Sequence, residues 1–244
     1  MIAALLLGRK GSQGFPGKNL APLLGRPLSW YPMRAALDAP EVGGVYLSTD
    51  DEQLKTLARA NGVEVIDRPP HLATNAALAE DAYVHGRDEI VRRTGQPLEL
   101  LVCLFCNAPT VNPAQISEAI AALRQNPDLD SAITVSRYNM WSPLRARRIG
   151  SDGLVHPFVD FEALGDPTTF SCDRDSQGDA WFADVALTVI RPGNLDHLEE
   201  GVSPQRWMGK NIHPIYNEAG LDIDYPWQMG QLEWWLKAHG WKEA

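Results

Sequence analysis

Short apolar runs alternate along the chain with longer segments in which apolar residues recur at helical spacing. The first run, Ile2–Leu7, is continuous enough to form a strand buried on both faces of a parallel sheet. The predicted strands cover 2–7, 42–47, 63–66, 100–105, 131–136, 183–190 and 212–216, and the predicted helices cover 27–37, 51–61, 76–93, 113–126 and 227–239. This alternation predicts an α/β fold with a mostly parallel central sheet and helices on both faces.

One stretch interrupts the alternation. The segment at about 137–180 mixes turns, aromatic residues and short polar pieces, and the strand pattern returns only after it. We interpret this segment as an arm inserted into a single domain that spans 1–244. In the terminal helix, Trp234, Trp235 and Leu236 are expected to pack in the core.

Polar clusters follow four of the predicted strands. They are the glycine-rich loop after the first strand, Ser48-Thr49-Asp50, Arg68-Pro69-Pro70 and Asn107-Ala108-Pro109-Thr110. Parallel α/β sheets bind ligands beyond the carboxyl ends of their strands, so these clusters predict one binding site at that edge. The tripeptide at 48–50 is also predicted to cap the helix at 51–61, and Pro27 is predicted to start the helix at 27–37.

The glycine-rich loop, residues 8–19, reads GRKGSQGFPGKN. Its glycines let backbone N–H groups approach an anion, and Arg9 and Lys18 add positive charge, so the loop is a candidate polyphosphate cradle. The spacing matches neither the P-loop GxxxxGK[ST] nor the dinucleotide motif GxGxxG. The alternative is a solvated surface loop whose glycines serve only turns.

A pair of carboxylates lies near the carboxyl end of the chain, where Asp222 and Asp224 alternate with apolar Leu221 and Ile223. On an extended backbone this spacing places both carboxylates on one face. Mg2+ prefers such oxygen ligands together with phosphates, so the pair is a candidate metal site. The alternative is that both residues only cap the helix that Pro226 begins.

Composition and charge exclude some functions. A formal net charge of -9 argues against sequence-independent nucleic-acid binding. No apolar run is long enough to span a bilayer and the amino-terminal segment is too short for a signal peptide, so we expect a cytoplasmic protein without a membrane partner. Cys103 and Cys106 form CxxC inside an apolar run, where buried strand cysteines are favoured over a metal or redox site.

Taken in order, these motifs resemble those of the acylneuraminate cytidylyltransferase family, the CMP-sialic acid synthetases. The family's ARxxSKGxPxKN appears at 8–19, its STD at 48–50, its RPxxLA at 68–73 and its DID at 222–224. The resemblance implies a Rossmann-like nucleotide-diphospho-sugar transferase fold with a projecting dimerisation arm. It also implies CTP as a substrate, Mg2+ or Mn2+ as the cofactor, and a homodimer.

The resemblance also implies roles for individual residues. Arg9, Ser12 and Lys18 would hold the triphosphate, Asn19 would contact the ribose, and Arg68 would contact the cytosine. The full set of implied nucleotide-binding residues is Leu7, Gly8, Arg9, Gly11, Ser12, Lys18, Asn19, Arg68, Ala77 and Asn107. The implied catalytic residues are Arg9, Lys18, Asp222 and Asp224, of which the last two would hold the metal.

Acceptor-binding residues follow from weaker parts of the resemblance. Asn107 lies at the strand end where related Kdo-activating enzymes carry the aspartate of GDEP, so the resemblance implies that it lines either the metal or the acceptor. The segment SPLR, which ends at Arg145, is similar to the family's HPLK, so Arg145 is implied to bind an acceptor carboxylate, with Arg174 as a further candidate. The chain departs from the family pattern where members have QPTSPLR and it reads FCNAPTVN. It departs again at RPxxLAxDTAS, whose aspartate and final serine align with Asn75 and Leu78.

The implied function is transfer of CMP from CTP to an acidic acceptor, with release of pyrophosphate. A sialic-acid-like nonulosonic acid is the first expectation for the acceptor, and a small phosphonate is the alternative because the acceptor segments differ. A non-catalytic nucleotide-sensing protein is the alternative from another class. The complete GRKGSQGFPGKN and DID set favours an enzyme, since the fold alone does not decide function.

Overall fold

The computed structural model describes residues 1–175 and 178–243. In that part of the chain the strands are Ile2–Leu7 (β1), Pro22–Leu23 (β2), Arg26–Pro27 (β3), Gly44–Thr49 (β4), Glu64–Asp67 (β5), Leu100–Phe105 (β6), Ser131–Arg137 (β7), Arg147–Ile149 (β8), Val155–Pro157 (β9), Trp181–Ile190 (β10) and Ile212–Asn217 (β11). The α-helices are Trp30–Asp38 (α1), Glu52–Ala60 (α2), Ala79–Thr94 (α3), Pro113–Gln125 (α4) and Met229–Ala238 (α5). None of these helices is long and apolar enough to cross a bilayer.

Seven strands form the central sheet, in the order β11-β7-β10-β6-β1-β4-β5. β1 pairs in parallel with both β4 and β6, whereas β10 runs antiparallel to its neighbours β6 and β7. β10 is reversed because the arm leaves the sheet at Arg137 and returns at Trp181, which pairs with Arg137 at the same edge. The prediction of a mostly parallel sheet is confirmed.

β1, which lies inside the sheet next to the middle strand β6, is buried on both faces, and its side chains alternate between two core clusters. Leu6 packs in the cluster that includes residues of α1, α2 and α4. Leu5, one position earlier, packs in the cluster that includes residues of α3. Each such leucine contributes roughly 1.5–3 kcal/mol when it is fully buried. Helices therefore cover both faces of the sheet, as predicted.

A third core cluster joins α5 to α1 and to the β2–β3 hairpin. Trp235 and Leu236 are fully buried there against Ile223 and Tyr31. The prediction that both residues pack in the core is confirmed. The same prediction is wrong for Trp234, which is 59% exposed because the helical turn places it on the outer face of α5.

Two predicted helix starts are also wrong. Pro27 belongs to β3, and α1 begins three residues later at Trp30. β4 extends through Thr49, because Thr49 pairs with Asp67 of β5. The residue that caps α2 is therefore the first polar residue after 48–50. That residue is Asp51, whose side chain accepts the backbone N–H of Gln53 at 2.8 Å.

The arm forms a small structure of its own, in which β8 and β9 pair as an antiparallel hairpin. Large apolar side chains of this hairpin and its flanks face solvent: Ile149, Leu154, Val155 and Phe158 are each more than 60% exposed. The arm predicted at 137–180 includes residues 176 and 177, which lie outside the described residues. The single-domain organisation of 1–244 stays a prediction.

Candidate nucleotide and metal site

The glycine-rich loop leaves β1 at the carboxyl-terminal edge of the sheet. The Gly8 N–H donates to Ser48 O at 3.2 Å, so the start of the loop is fixed to β4. Asn19, near the end of the loop, is 8% exposed and donates to Arg9 O at 3.3 Å. Its Oδ1 is buried and has no hydrogen-bond partner among the described residues. A buried acceptor of this kind is available to a donor group of a bound molecule.

Residues 218–224, here called the acidic loop, follow β11 and cross the same edge of the sheet. Asn107 lies just beyond β6, and its side chain donates from Nδ2 to Ile223 O at 3.1 Å. The backbone carbonyl of Asn107 accepts the Ile223 N–H at 2.8 Å. Thr110 Oγ1 accepts the Leu221 N–H at 2.9 Å. The polar cluster after β6 therefore holds the backbone of the acidic loop in place.

The glycine-rich loop and the acidic loop meet directly. Lys18 Nζ lies 2.6 Å from Asp224 Oδ1, although the two residues are 206 positions apart in the chain. Gly14 lies against the acidic loop so closely that a Cβ there would come within 2.5 Å of Asp224 O. The structure therefore brings the predicted cation and the predicted carboxylates to one place.

The surroundings of the Asp222 carboxyl make its charged form less favourable than it is in water. Burial raises its pKa above the usual range and the neighbouring Asp224 raises it further, whereas Lys18 and the Asn107 side chain lower it. A divalent cation would offset both the burial and the repulsion between the two carboxylates. The oxygens of Asp222 and Asp224 are hard ligands, so this donor set fits Mg2+ or Mn2+.

Arg68 is a buried cation beyond the end of β5. It is 8% exposed, and it donates from Nε to Ser48 Oγ at 3.1 Å and from Nη2 to Ser48 O at 2.7 Å. Burial lowers the pKa of its guanidinium. None of the ion pairs among the described residues includes Arg68. A buried guanidinium with neutral partners has donors left for an electron-rich group of a ligand.

Arg9 connects the glycine-rich loop to the loop that follows β5. Its Nη1 donates to Asn75 Oδ1, at the position where the family pattern carries an aspartate. The loop after β5 therefore closes one side of the candidate site. The remaining predicted nucleotide-binding residues lie in these loops or at the end of β1: Leu7, Gly11, Ser12 and Ala77.

The structure brings two of the three predicted acceptor-binding residues to one cavity. Arg145 and Arg174 both border a cavity of about 410 Å³ in the arm, whereas Asn107 does not. Arg145 donates to Cys172 O at 2.6 Å and Arg174 pairs with Asp175 at 3.1 Å. These partners belong to the arm, and among the described residues neither arginine forms a hydrogen bond or ion pair with the acidic loop.

Sequence reasoning missed two buried polar residues beside the acidic loop. Asp184 in β10 is 7% exposed, and Asn217 at the end of β11 is 7% exposed and donates to Thr110 O at 2.9 Å. The available signal for Asp184 was a single acidic residue inside the apolar run at 183–190. Charged residues are rarely buried in such a run unless neighbouring groups pair with them.

A large aromatic cavity of about 1030 Å³ lies between α5 and the base of the arm. Leu221 of the acidic loop contributes to its wall. Its aromatic lining comes from Tyr138, Trp141, Phe182, Trp227, Trp234 and Trp235. Trp141 and Trp227 are 65% and 69% exposed, so the cavity opens onto an apolar surface next to the candidate site.

The fold and the two apposed loops define an α/β protein of the nucleotidyltransferase type. A family model described as "Cytidylyltransferase" matches residues 3–186. The chain therefore belongs to the cytidylyltransferase family.

Curated relatives agree with this assignment. The chain is 31% identical over 261 residues to the 3-deoxy-manno-octulosonate cytidylyltransferase of Bdellovibrio bacteriovorus, with 98% of this chain and 99% of that protein covered. It is 22% identical over 231 residues to the N-acylneuraminate cytidylyltransferase of Oncorhynchus mykiss, with 94% of this chain covered. The match covers 49% of the Oncorhynchus protein, so the chain spans about half the length of that relative.

Solved structures confirm the Rossmann-like fold. A CMP:2-keto-3-deoxy-manno-octonic acid synthetase complexed with CTP superposes with a TM-score of 0.68 at 17% identity, covering 98% of this chain and 99% of that chain. The 4-diphosphocytidyl-2C-methyl-D-erythritol synthase of Anaerococcus prevotii superposes with a TM-score of 0.62 at 13% identity, covering 97% of this chain and 96% of that chain.

Proposed function

We propose that this protein transfers CMP from CTP to an acidic acceptor, a nonulosonic acid of the sialic acid type, and releases pyrophosphate. The observation that carries the proposal is the contact between the two loops, in which Lys18 lies 2.6 Å from Asp224. A cation and two carboxylates at one edge of a parallel sheet suit a nucleotide with a divalent cation. The relatives named as cytidylyltransferases support CTP as the nucleotide.

In the proposed reaction, an acceptor oxygen forms a bond to the α-phosphorus of CTP as the bond to the pyrophosphate oxygen breaks. A hydroxyl acceptor releases its proton to solvent, and an anionic acceptor needs no such transfer. Asp222 and Asp224 would hold Mg2+ or Mn2+, which supplies charge stabilisation to the reacting phosphate. Arg9 and Lys18 would stabilise the negative charge that develops on the leaving pyrophosphate.

Recognition of the nucleoside is assigned to two buried side chains. Arg68 has guanidinium donors left beyond those bonded to Ser48, so it suits the carbonyl oxygen of cytosine. The unpartnered Oδ1 of Asn19 suits a ribose hydroxyl. Backbone N–H groups at Gly8 and Gly11, with the Ser12 hydroxyl, would surround the phosphates.

The acceptor assignment relies on the arm of a second copy of the chain. Among the described residues Arg145 and Arg174 form their bonds within the arm and none with the acidic loop, and a partner's arm would carry its arginines to an acceptor carboxylate. The apolar side chains exposed on the arm, such as Phe158, and the aromatic cavity beside the acidic loop are suitable surfaces for such a homodimer. We place the reaction in the cytoplasm, where CTP is made.

The dimer is tested by the substitution Phe158→Asp. Phe158 is 62% exposed, and a carboxylate in an apolar interface is expected to weaken association by about tenfold or more. Sedimentation equilibrium measures the effect, with Val202→Asp as the control, because Val202 is 55% exposed and lies outside the arm. A monomeric wild type, or equal weakening by both substitutions, would contradict the assignment of the arm to the dimer interface.

The activity is tested by pyrophosphate release from CTP and Mg2+ in the presence of sialic, legionaminic, pseudaminic and Kdo acids and small phosphonates. We expect release with one nonulosonic acid, loss of release on chelation of the metal, and weak activity with UTP, ATP or GTP. Release with only a phosphonate would support the use of CTP but would show that the acceptor is a phosphonate and not a nonulosonic acid. Binding of CTP without release across the panel would favour a nucleotide-sensing protein.

A further inference from the structure

Asp184 is a buried carboxylate at the edge of the sheet that the acidic loop crosses. Its Oδ2 accepts the Ser136 hydroxyl at 2.6 Å, and its Oδ1 accepts the Ala186 N–H at 3.1 Å and the Thr134 hydroxyl. These hydroxyls belong to β7, the neighbouring strand. Burial of an acidic side chain is costly even with such partners, so its presence inside an apolar strand requires an explanation.

The backbone of β10 is distorted at this residue. The pairing of β10 with β7 shifts in register between Ala183 and Thr188, which marks a bulge. Within the bulge, Val185 has a φ of +52°, a conformation that is strained for a β-branched residue. Bulges near functional sites redirect a side chain, and here the bulge accompanies the inward-facing carboxylate of Asp184.

The carboxylate lies directly beneath the acidic loop at Gly220. A Cβ added to Gly220 would come within 2.0 Å of the Asp184 carboxyl, so the two residues are packed as closely as glycine allows. The Gly220 N–H donates to Ser136 Oγ at 2.7 Å, and the same hydroxyl donates to Asp184. Ser136 therefore links the carboxylate to the backbone of the acidic loop.

Gly220 is two residues from Asp222, the more buried of the candidate metal ligands. The next residue, Leu221, is fixed from the other side by the bond of its N–H to Thr110 Oγ1 at 2.9 Å. The backbone that leads into Asp222 is thus held at two successive residues. Gly220 is held through Ser136 and by the Tyr138 hydroxyl, which donates to Gly220 O at 2.9 Å, and Leu221 is held through Thr110. A shift of Gly220 would move Asp222 with it, because only one residue separates them.

We propose that Asp184 is a positioning residue, which acts through Ser136 and Gly220 to hold the acidic loop where Asp222 can bind the divalent cation. The inference rests on the proposed function for the role of the metal, while the positioning of the loop is a separate physical claim. Mutation of a residue that orients a metal ligand without contacting the metal commonly lowers metal affinity by about 10–100-fold. The loss of the Asp184 carboxylate should therefore produce a measurable fall in metal affinity.

The chain contains a matched control at the opposite edge of the sheet. Asp130 immediately precedes β7 and its Oδ2 accepts the N–H groups of Lys210 and Asn211, each at 2.8 Å. Gly209 lies against Asp130 as Gly220 lies against Asp184, since a Cβ there would come within 2.4 Å of it. Asp130 thus holds a loop in a similar way, but at the edge away from the acidic loop.

The test compares Asp184→Asn and Ser136→Ala with Asp130→Asn in the full chain. Binding of Mn2+ with CTP is followed by electron paramagnetic resonance, and amide hydrogen exchange is followed across the acidic loop. We expect Asp184→Asn to weaken Mn2+ binding about tenfold and to speed exchange at the Leu221 and Ile223 amides. The KM for CTP should change by less than about threefold, and Asp130→Asn should leave both measurements near the wild type.

Each outcome decides a separate point. Wild-type exchange and Mn2+ affinity in Asp184→Asn and Ser136→Ala would overturn the inference. Equal losses in Asp130→Asn would also overturn it, because they would show general destabilisation. A wild type that binds no Mn2+ with CTP would contradict the metal role in the proposed function, and hydrogen exchange would still decide whether Asp184 positions the loop. If Asp184→Asn does not fold, Ser136→Ala, which removes only the linking hydroxyl, gives the decision.

Discussion

Replacing Asp222 with asparagine is expected to lower the turnover number about 10³-fold in the pyrophosphate-release assay. The substitution keeps the shape of the side chain but removes the negative charge that Mg2+ or Mn2+ would neutralise. Burial already raises the pKa of this carboxyl, so the neutral asparagine should not destabilise the fold. The melting temperature is therefore expected to stay within a few degrees of the wild type.

The control for this substitution is Asp196→Asn. Asp196 pairs with Arg87 at 2.9 Å and lies outside the candidate site. The Asp196→Asn variant is therefore expected to keep the turnover number of the wild type. A turnover of Asp222→Asn within about threefold of the wild type, at saturating Mg2+, would exclude Asp222 as a metal ligand.

Replacing Lys18 with methionine is expected to lower kcat/KM for CTP by roughly 10²–10³-fold. Methionine retains much of the apolar stem of lysine, which is 13% exposed, and removes the charge that would face the leaving pyrophosphate. The loss also leaves Asp224 without its partner at 2.6 Å, which increases the negative charge around the phosphates. Initial rates over a range of CTP concentrations separate the effect on binding from the effect on turnover.

Lys55 provides a close control for this substitution. It is 12% exposed and pairs with Asp67 at 2.6 Å and with Glu52 at 2.7 Å, so it matches Lys18 in burial and has at least as much ion pairing to lose. Lys55 lies on α2. The Lys55→Met variant should unfold with a slightly changed free energy and should keep the wild-type kcat/KM for CTP. Similar losses of kcat/KM in the two variants would show that the effect of Lys18→Met is structural, and would remove Lys18 from the proposed mechanism.

Much of the fold was predictable because it depends on local patterns. β1 and β6 have the predicted bounds, since a short continuous apolar run is the local signal of a strand buried on both faces. The starts of α1 and α2 were not predictable, because pairing in β3 and the extension of β4 overruled the local signals of Pro27 and Ser48-Thr49-Asp50. The place and direction of β10 depend on where the arm returns to the sheet.

The candidate site divides in the same way. The sequence by itself determined the two loops, because GRKGSQGFPGKN and DID carry their chemistry in short spacings that do not depend on the rest of the chain. Only the tertiary structure decided that Lys18 meets Asp224 and that Asn107 holds Ile223, since these contacts join positions 206 and 116 residues apart. It also decided the place of Asp184, because a bulge in β10 directs this carboxylate beneath Gly220 and no local pattern records that contact.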